Sequence, residues 1–125
     1  MKEIISIHIG QTGIQLGGAI WPLFCQEHHI SPNGIIDNIF TTDSLKIFFN
    51  ETATGIYRTR SVFVDLEPTS IHQLRTGRYR GLFGWEQLSS GKNSSGGVYA
   101  RGRRIGEETV VEQALERVRR AAEQC

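Results

Sequence analysis

Hydrophobic and polar positions alternate at the start of the chain and then change to a helical spacing. Over residues 3–9, isoleucine occupies four positions with Ser6 and His8 between them, which predicts a buried β-strand. From residue 11 to residue 28, apolar residues recur every three or four positions, which predicts a helix. Its apolar stripe consists of Ile14, Leu16, Ala19, Ile20, Leu23 and Phe24. Pro22 lies inside this pattern and predicts a kink or an early end of the helix.

Two further segments carry clear periodic patterns. Residues 61–66, with the sequence SVFVDL, predict a second strand that ends before Pro68. Thr69 is expected to cap a short helix that reaches Gly77. A last helix is expected to begin near Gly106. Its apolar face consists of Val110, Val111, Ala114, Leu115, Val118 and Ala122.

The remaining segments predict loops and an incomplete domain. Residues 34–55 are expected to be loop-rich, with a short apolar anchor formed by Leu45, Ile47, Phe48 and Phe49. Residues 89–97, SSGKNSSGG, predict a flexible loop. Two convincing strands are too few for a sheet that covers two long helices, and the last helix reaches Cys125 without a stop signal. We therefore expect residues 1–125 to be part of a larger domain.

Composition and charge limit the classes of protein to which the chain can belong. The chain has 125 residues, 38% of them hydrophobic, and a net charge of +1, which suits one small soluble domain. No apolar run approaches the roughly 20 residues of a membrane span, and the first residues do not form a signal peptide. Two cysteines provide no disulfide framework, which fits a reducing cytoplasm. Residues 54–104 carry nine basic and three acidic residues, but aromatic residues are not interleaved with them, so we expect no nucleic-acid binding.

The first candidate for chemistry lies where the first strand passes into the first helix. Glycines at positions 10, 13, 17 and 18 surround Gln11 and Thr12. The backbone N–H groups and the dipole of a helix N-terminus favour a phosphate group at such a turn. The alternative is a tight turn whose glycines serve packing alone, and the spacing does not decide between the two.

Carboxylates at the end of the second strand form the second candidate. Asp65 and Glu67 lie at the carboxyl end of that strand, which is the edge where open α/β sheets bind ligands. Two carboxylates beside a phosphate suit Mg²⁺. The alternative is a pair of solvated acids at an exposed strand end.

Two other patterns are weaker. The SSGKNSSGG segment can wrap a phosphate with backbone N–H groups, but it is not a Walker A motif, and a surface loop is the alternative. Cys25, His28 and His29 lack a second pair of ligands, so we expect no zinc site. Ser6 and His8 share a strand face but form no catalytic triad, and we assign no catalytic residue.

Six segments resemble the amino-terminal part of the tubulin family, in the same order and over essentially the whole chain. They are MKEIISIHIGQTGIQLG, RSVFVDLEPT, RTGRYRGLF, EQLSSGK, YARGRRIGEE and RAAEQC. The segment SIHIGQ followed by GIQ favours the α branch of the family over the β branch. The resemblance implies an α/β fold, the Rossmann-like parallel sheet of the tubulin-type GTPase domain.

The resemblance also implies a guanine-nucleotide site. In tubulins the turn after the first strand contacts the nucleotide. The contacts that this implies here are Gly10, Gln11, Thr12 and Gln15. The family's DLE acids lie near the γ-phosphate and Mg²⁺, which gives that role to Asp65 and Glu67, with Glu67 the better metal ligand. The third nucleotide loop of the family implies further contacts at Ser94, Ser95 and Gly97.

Several positions depart from the family pattern. The third loop usually has the sequence GKEDAANNYARG, whereas this chain has GKNSSGGVYARG. An acid is thus replaced by Ser94 and a phosphate-contacting asparagine by Gly97, so side-chain contacts are lost although Ser95 still offers a backbone N–H group. Pro22 stands where the family usually has glutamate.

The implied function is that of a GTP-binding subunit of the microtubule cytoskeleton. The resemblance implies GTP and Mg²⁺ as ligands, β-tubulin as partner and the cytoplasm as location. The family's glycine-rich signature and catalytic glutamate lie beyond the part that this chain matches. Two alternatives therefore stay open: a tubulin-like chain that binds no nucleotide and contacts tubulin or its chaperones, and a non-functional fragment.

Overall fold

The computed structural model describes residues 3–36, 44–91 and 110–124. The strands in these ranges are β1 (Ser6–Ile9), β2 (Phe49–Glu51), β3 (Tyr57–Thr59), β4 (Ser61–Asp65) and β5 (Leu88–Ser90). The helices are α1 (Gly10–Glu27), α2 (Leu45–Phe48), α3 (Pro68–Thr76) and α4 (Val111–Glu123). Two short 3₁₀ turns, Arg80–Leu82 and Trp85–Gln87, connect α3 to β5. None of the helices described here is long and apolar enough to cross a membrane.

Strands β1, β4 and β5 form a parallel sheet with β4 in the middle. Ile9 pairs with Val64, and Asp65 pairs with Ser90, so the three strands end at the same edge. Strands β2 and β3 form a separate antiparallel hairpin. Parallel neighbours require crossover connections, which α1 and α3 help to supply. The predicted α/β class with a parallel sheet is confirmed.

Helices cover both faces of this sheet. Helices α1 and α3 pack on one face, and α4 packs on β4 and β5 from the other. Side chains alternate accordingly along β1: the His8 ring lies next to Gly17 and Trp21 of α1, whereas Ile7 and Ile9 lie on the side of α4. The prediction that the strand over residues 3–9 is buried is wrong, because Ile7 and Ile9 are 49% and 70% exposed on the side of α4 and the His8 ring is half-buried beneath α1.

The core lies between α1, the sheet and the β2–β3 hairpin. Helix α1 buries Ile14, Gly17, Trp21 and Cys25, which recur every three or four residues, as an amphipathic helix requires. The predicted apolar stripe is therefore wrong in large part, because Leu16 and Leu23 are exposed and the buried face is centred on Trp21. The Trp21 ring meets the Phe49 ring edge-on at 5.5 Å. Each large apolar side chain that is fully buried contributes about 1.5–3 kcal/mol, so this cluster fixes α1 and the hairpin to each other.

The predicted extent of the first helix, to about residue 28, is confirmed, but an early end at Pro22 and a cap at Thr69 are both wrong, and a kink at Pro22 stays a prediction. Helix α1 continues through Pro22 to Glu27 and does not end early, because Trp21 and Cys25 on either side are buried and hold the helix in place. Helix α3 begins at Pro68, not at Thr69. Proline suits a first helical position, where its missing N–H group has no intrahelical partner.

The segments predicted as loops contain regular structure. In residues 34–55 the short anchor is confirmed, since Leu45 and Phe49 are fully buried, but it forms α2 and β2. In residues 89–97 the predicted loop is wrong at its start, because Ser89 and Ser90 belong to β5. Short strands with few apolar residues give a weak periodic signal. Whether such a segment forms a strand depends on pairing with neighbouring strands. The remainder of that loop and the predicted start of the last helix lie outside the described residues.

Candidate functional site

The turn between β1 and α1 exposes a helix N-terminus at the carboxyl edge of the sheet. Gly10 adopts a φ of +79°, and a Cβ atom there would meet nothing within 4 Å, so the backbone conformation and not the space favours glycine. Ile9 provides no side-chain cap, and the first turn of α1 contains no acidic residue. Gln11 and Thr12 are exposed. The helix therefore presents N–H groups and a positive dipole end without a competing carboxylate.

The two carboxylates lie at the end of the neighbouring strand. Because Ile9 pairs with Val64, the residues that follow them, Gly10 and Asp65, line one common cavity. The Glu67 backbone N–H donates to Asp65 Oδ1 over 3.4 Å. Strand pairing therefore brings the predicted phosphate turn next to Asp65, one of the two predicted metal ligands, whereas Glu67 does not line this cavity.

Glu67 is an exposed carboxylate with one local hydrogen bond. The Thr69 hydroxyl donates to Glu67 Oε1 over 2.7 Å. Within the described ranges no group of three or more His, Cys, Asp or Glu side chains is arranged for a metal ion. The protein thus offers two carboxylates here, and phosphate oxygens and water would have to complete the coordination of Mg²⁺.

The end of β5 lies at the same edge of the sheet as the Gly10 turn and Asp65. Sequence patterns did not indicate this strand. The Gly91 N–H donates to the Asp65 carbonyl over 2.9 Å. A Cβ atom at position 91 would approach the Leu66 carbonyl oxygen to 2.7 Å, so glycine permits this contact. The segment that contains Ser94, Ser95 and Gly97 follows directly, but these three residues lie outside the described part of the chain.

The cavity that Gly10 and Asp65 line is a largely apolar groove. It has a volume of about 560 Å³ and lies between β1, β4 and α4. Its apolar lining includes Ile7, Ile9, Val111, Ala114, Leu115 and Val118. Ile9 is 70% exposed and Leu115 is 64% exposed. The sequence predicts the apolar stripe of the last helix. Only the structure shows that this stripe is incompletely buried.

Of the other predicted side chains, Gln15 is exposed, whereas Cys25 and the Ser6–His8 pair lie wholly or partly in the interior. Cys25 is buried, and burial raises the pKa of its thiol to about 12, which suits a core residue and not a metal ligand. Ser6 Oγ lies 3.2 Å from His8 Nε2, and the Trp21 indole N–H donates to the same nitrogen over 3.3 Å. His8 is therefore part of a packed polar cluster beneath α1.

Comparison with known proteins agrees with this architecture. Residues 3–125 match the profile of the Tubulin/FtsZ family, GTPase domain. The chain is 46% identical over 129 residues to "Tubulin alpha chain" of Pneumocystis carinii and 44% identical over 127 residues to "Tubulin alpha-2 chain" of Caenorhabditis elegans. It is 47% identical over 136 residues to "Tubulin alpha chain-like 3" of Mus musculus.

These alignments cover 100% of this chain but 29%, 28% and 30% of the three relatives, in that order. The chain therefore spans less than a third of their length. The predicted resemblance to α-tubulins is confirmed. The chain belongs to the tubulin/FtsZ family, and it carries the amino-terminal part of the family's GTPase domain in a form similar to α-tubulins.

Proposed function

We propose that this chain supplies part of a GTP site, and that it acts as an α-tubulin-like constituent of the microtubule cytoskeleton in the cytoplasm, with β-tubulin as its partner. The observation that supports the site most directly is the parallel pairing of β1 with β4, which sets the Gly10 turn beside Asp65. A helix N-terminus without a cap or an acid is suited to phosphate. In this proposal Gly10, Gln11, Thr12 and Gln15 contact the nucleotide.

Mg²⁺ is assigned to the carboxylates at the end of β4. Glu67 is exposed and Asp65 is half-buried, so both can offer oxygen ligands next to a phosphate. Hard oxygen donors with open positions for water and phosphate are the set that Mg²⁺ prefers. When bound, the ion would neutralise phosphate charge. Ser94, Ser95 and Gly97 are proposed to approach the phosphates from the segment after β5.

Titration of the chain with GTP and Mg²⁺, followed by amide NMR, tests the site. If the site is formed, GTP should shift the amides of the site saturably and more strongly when Mg²⁺ is present. Shifts should be concentrated at residues 10–15, 65–67 and 94–97. Gln11→Ala and Glu67→Ala should each weaken binding about tenfold, since a charge-assisted contact is worth about 1.5–3 kcal/mol.

Binding measured without Mg²⁺ distinguishes a direct contact with the nucleotide, proposed for Gln11, from a contact through the ion, proposed for Glu67. Without the ion, Glu67→Ala should bind GTP like the unchanged chain, whereas Gln11→Ala should remain weak. An exposed residue at the opposite end of α1, changed as Gln26→Ala, serves as the matched control. Shifts that persist unchanged in both site variants would disprove the assignment.

A second candidate function is protein interaction without nucleotide. The exposed apolar groove between β1 and α4 favours it, because groups such as Ile9 and Leu115 gain from contact with another protein. The proposed partners are tubulin or its chaperones. Co-sedimentation of the tagged chain with microtubules, with and without GTP, distinguishes the two: association that is independent of GTP, together with absent NMR shifts, supports this second function.

A further inference from the structure

A second cavity lies at the opposite end of the sheet from the Gly10 turn. It has a volume of about 520 Å³ and is bounded by the β2–β3 hairpin, the start of β4 and the second half of α4. Ser61, the first residue of β4, lines it, whereas Asp65, the last residue of that strand, lines the apolar groove. Four arginines and two glutamates line this space, which we name the arginine cavity: Arg58, Arg60, Arg117, Arg120, Glu51 and Glu86.

Arg117 places a partly desolvated positive charge in the arginine cavity. Its Nε atom is buried and has no hydrogen-bond partner within the described ranges. Its guanidinium lies over the Trp85 ring, 5.3 Å from the ring centroid. Burial is the main cause that lowers the pKa of Arg117, and the like charge of Arg120 lowers it further. The nearby carboxylate of Glu86 acts in the opposite direction. The side chain is thus held by an aromatic ring and has donors available.

Arg58 contributes a second donor on the other side of the arginine cavity. Its terminal nitrogen forms an ion pair with Glu86 over 3.1 Å, which fixes the guanidinium in place. Its Nε atom is nevertheless buried without a partner in the part of the chain described. Arg120 is paired with Glu116, which does not line the cavity. Positive charge therefore exceeds negative charge here, and two buried N–H groups lack acceptors.

We propose that the arginine cavity binds a small oxyanion with at least two negative charges, held between Arg58 and Arg117. Guanidinium groups present planar pairs of donors that match the oxygens of phosphate and carboxylate groups. An anion in the cavity would accept hydrogen bonds from the terminal guanidinium nitrogens and reduce the repulsion between Arg117 and Arg120. This site is distinct from the Gly10 turn and does not depend on nucleotide binding there.

Trp85 provides a direct test, because it is exposed and lies beneath Arg117. The full chain is titrated with inorganic pyrophosphate and, separately, with citrate while tryptophan fluorescence is recorded; the buried Trp21 also emits, and the Trp85→Phe variant gives its contribution. We expect a saturable change that weakens as salt rises from about 50 mM to about 300 mM, since the charges are partly exposed. Tighter binding of pyrophosphate assigns the site to phosphate groups, and tighter binding of citrate assigns it to carboxylates; either result supports the proposal.

Matched variants on α4 localise the binding. Arg117→Gln should weaken the affinity about tenfold or more. Arg119→Gln, on the exposed side of the same helix where Arg119 pairs with Glu116 and Glu123, should bind like the unchanged chain. Trp85→Phe should remove the signal, and Gln11→Ala should leave it intact, which separates this site from the Gly10 turn.

Circular dichroism and urea midpoints verify that each variant is folded. The proposal is overturned if neither anion changes Trp85 fluorescence, or if Arg117→Gln and Arg119→Gln bind equally well. If Arg117→Gln does not fold, Arg58→Gln is measured in its place and should lose affinity to a similar degree. Unchanged affinity in a folded Arg58→Gln variant would also overturn the proposal.

Discussion

At the scale of single residues, His8 is the most constrained polar group beneath α1. The Trp21 indole N–H can only donate, so His8 Nε2 must accept, and the imidazole is neutral in the folded chain. Its ring stacks on Phe63 with the centroids 4.7 Å apart. Burial lowers the pKa of His8 from its ordinary 6.5, and a backbone hydrogen bond with Gly13 opposes this shift in part.

The lowered pKa makes the stability of the chain depend on pH. Because the unfolded state binds the proton more readily, the contribution of His8 is complete above its unfolded pKa of 6.5 and is lost as the pH falls toward the folded value. Urea midpoints measured from about pH 7.5 to about pH 5 should therefore decrease. The slope should be smaller in His8→Gln and unchanged in His72→Gln, whose side chain is exposed. Equal slopes in both variants would contradict this assignment.

Two adjacent glycines of α1 are expected to respond in opposite directions to alanine. A Cβ atom at Gly17 would lie 2.7 Å from Phe63 Cε1 and 3.0 Å from the His8 ring, so Gly17→Ala should cost about 1–3 kcal/mol through overpacking. At Gly18 the nearest atom is Leu74 Cδ2 at 3.7 Å, an ordinary contact. Gly18→Ala should therefore add about 1 kcal/mol through helix propensity. Urea denaturation measures both, and a stable Gly17→Ala variant would show that Phe63 can move.

At the scale of elements, α1 keeps a proline in its interior. The helix extends over 18 residues, and Pro22 lies in its second half, where it cannot donate a hydrogen bond to the Gly18 carbonyl. The neighbouring residues Trp21 and Cys25 are buried. Tertiary packing therefore outweighs the local preference against this residue.

Pro22→Glu, which restores the residue usual in the family, should stabilise the chain. An interior proline costs about 3 kcal/mol relative to alanine, so the free energy of unfolding should rise by up to that amount. Ala19→Glu adds the same carboxylate at an exposed position of the same helix and should change stability by less than about 0.5 kcal/mol. Equal midpoints for Pro22→Glu and the unchanged chain would show that the backbone has already adapted to the proline.

At the scale of the whole molecule, one side of the sheet is incompletely covered. Helix α4 contacts β4 and β5, and β1 lies at the edge of the described sheet. Ile7 and Ile9 of β1, together with Leu115 of α4, remain substantially exposed. Unpaired strand edges and contiguous apolar surfaces both favour association with other chains.

The isolated chain is therefore expected to self-associate through this side. Light scattering should give a mass above that of the 14.0 kDa monomer. Ile9→Lys should shift the distribution toward the monomer because a charge at the groove disfavours an apolar contact. Leu16→Lys, at an exposed position of α1 away from the groove, should not. A monomeric unchanged chain would show that the exposed residues of β1 and α4 are tolerated in water.

The sequence alone determined the elements with strong periodic patterns and their general order. The alternating isoleucines of β1, the helical spacing of α1 and the SVFVD segment of β4 each specified the type of element. Only the last of these also indicated burial correctly, since Val62 and Phe63 are fully buried whereas Ile9 and Leu16 are exposed. The adjacency of the Gly10 turn and Asp65 followed from the parallel arrangement that an α/β pattern predicts. The nucleotide role of these residues stays a prediction.

Tertiary structure decided what depends on partners distant in the chain. Strands β2, β3 and β5 have three residues each, too short for a periodic signal, and exist through pairing. The continuation of α1 through Pro22 depends on the burial of its neighbours. The arginine cavity joins side chains from the hairpin and from α4, more than 50 residues apart in sequence. Local sequence patterns indicate which type of element a segment forms. The residues against which that element packs lie elsewhere in the chain, so only the folded structure identifies them.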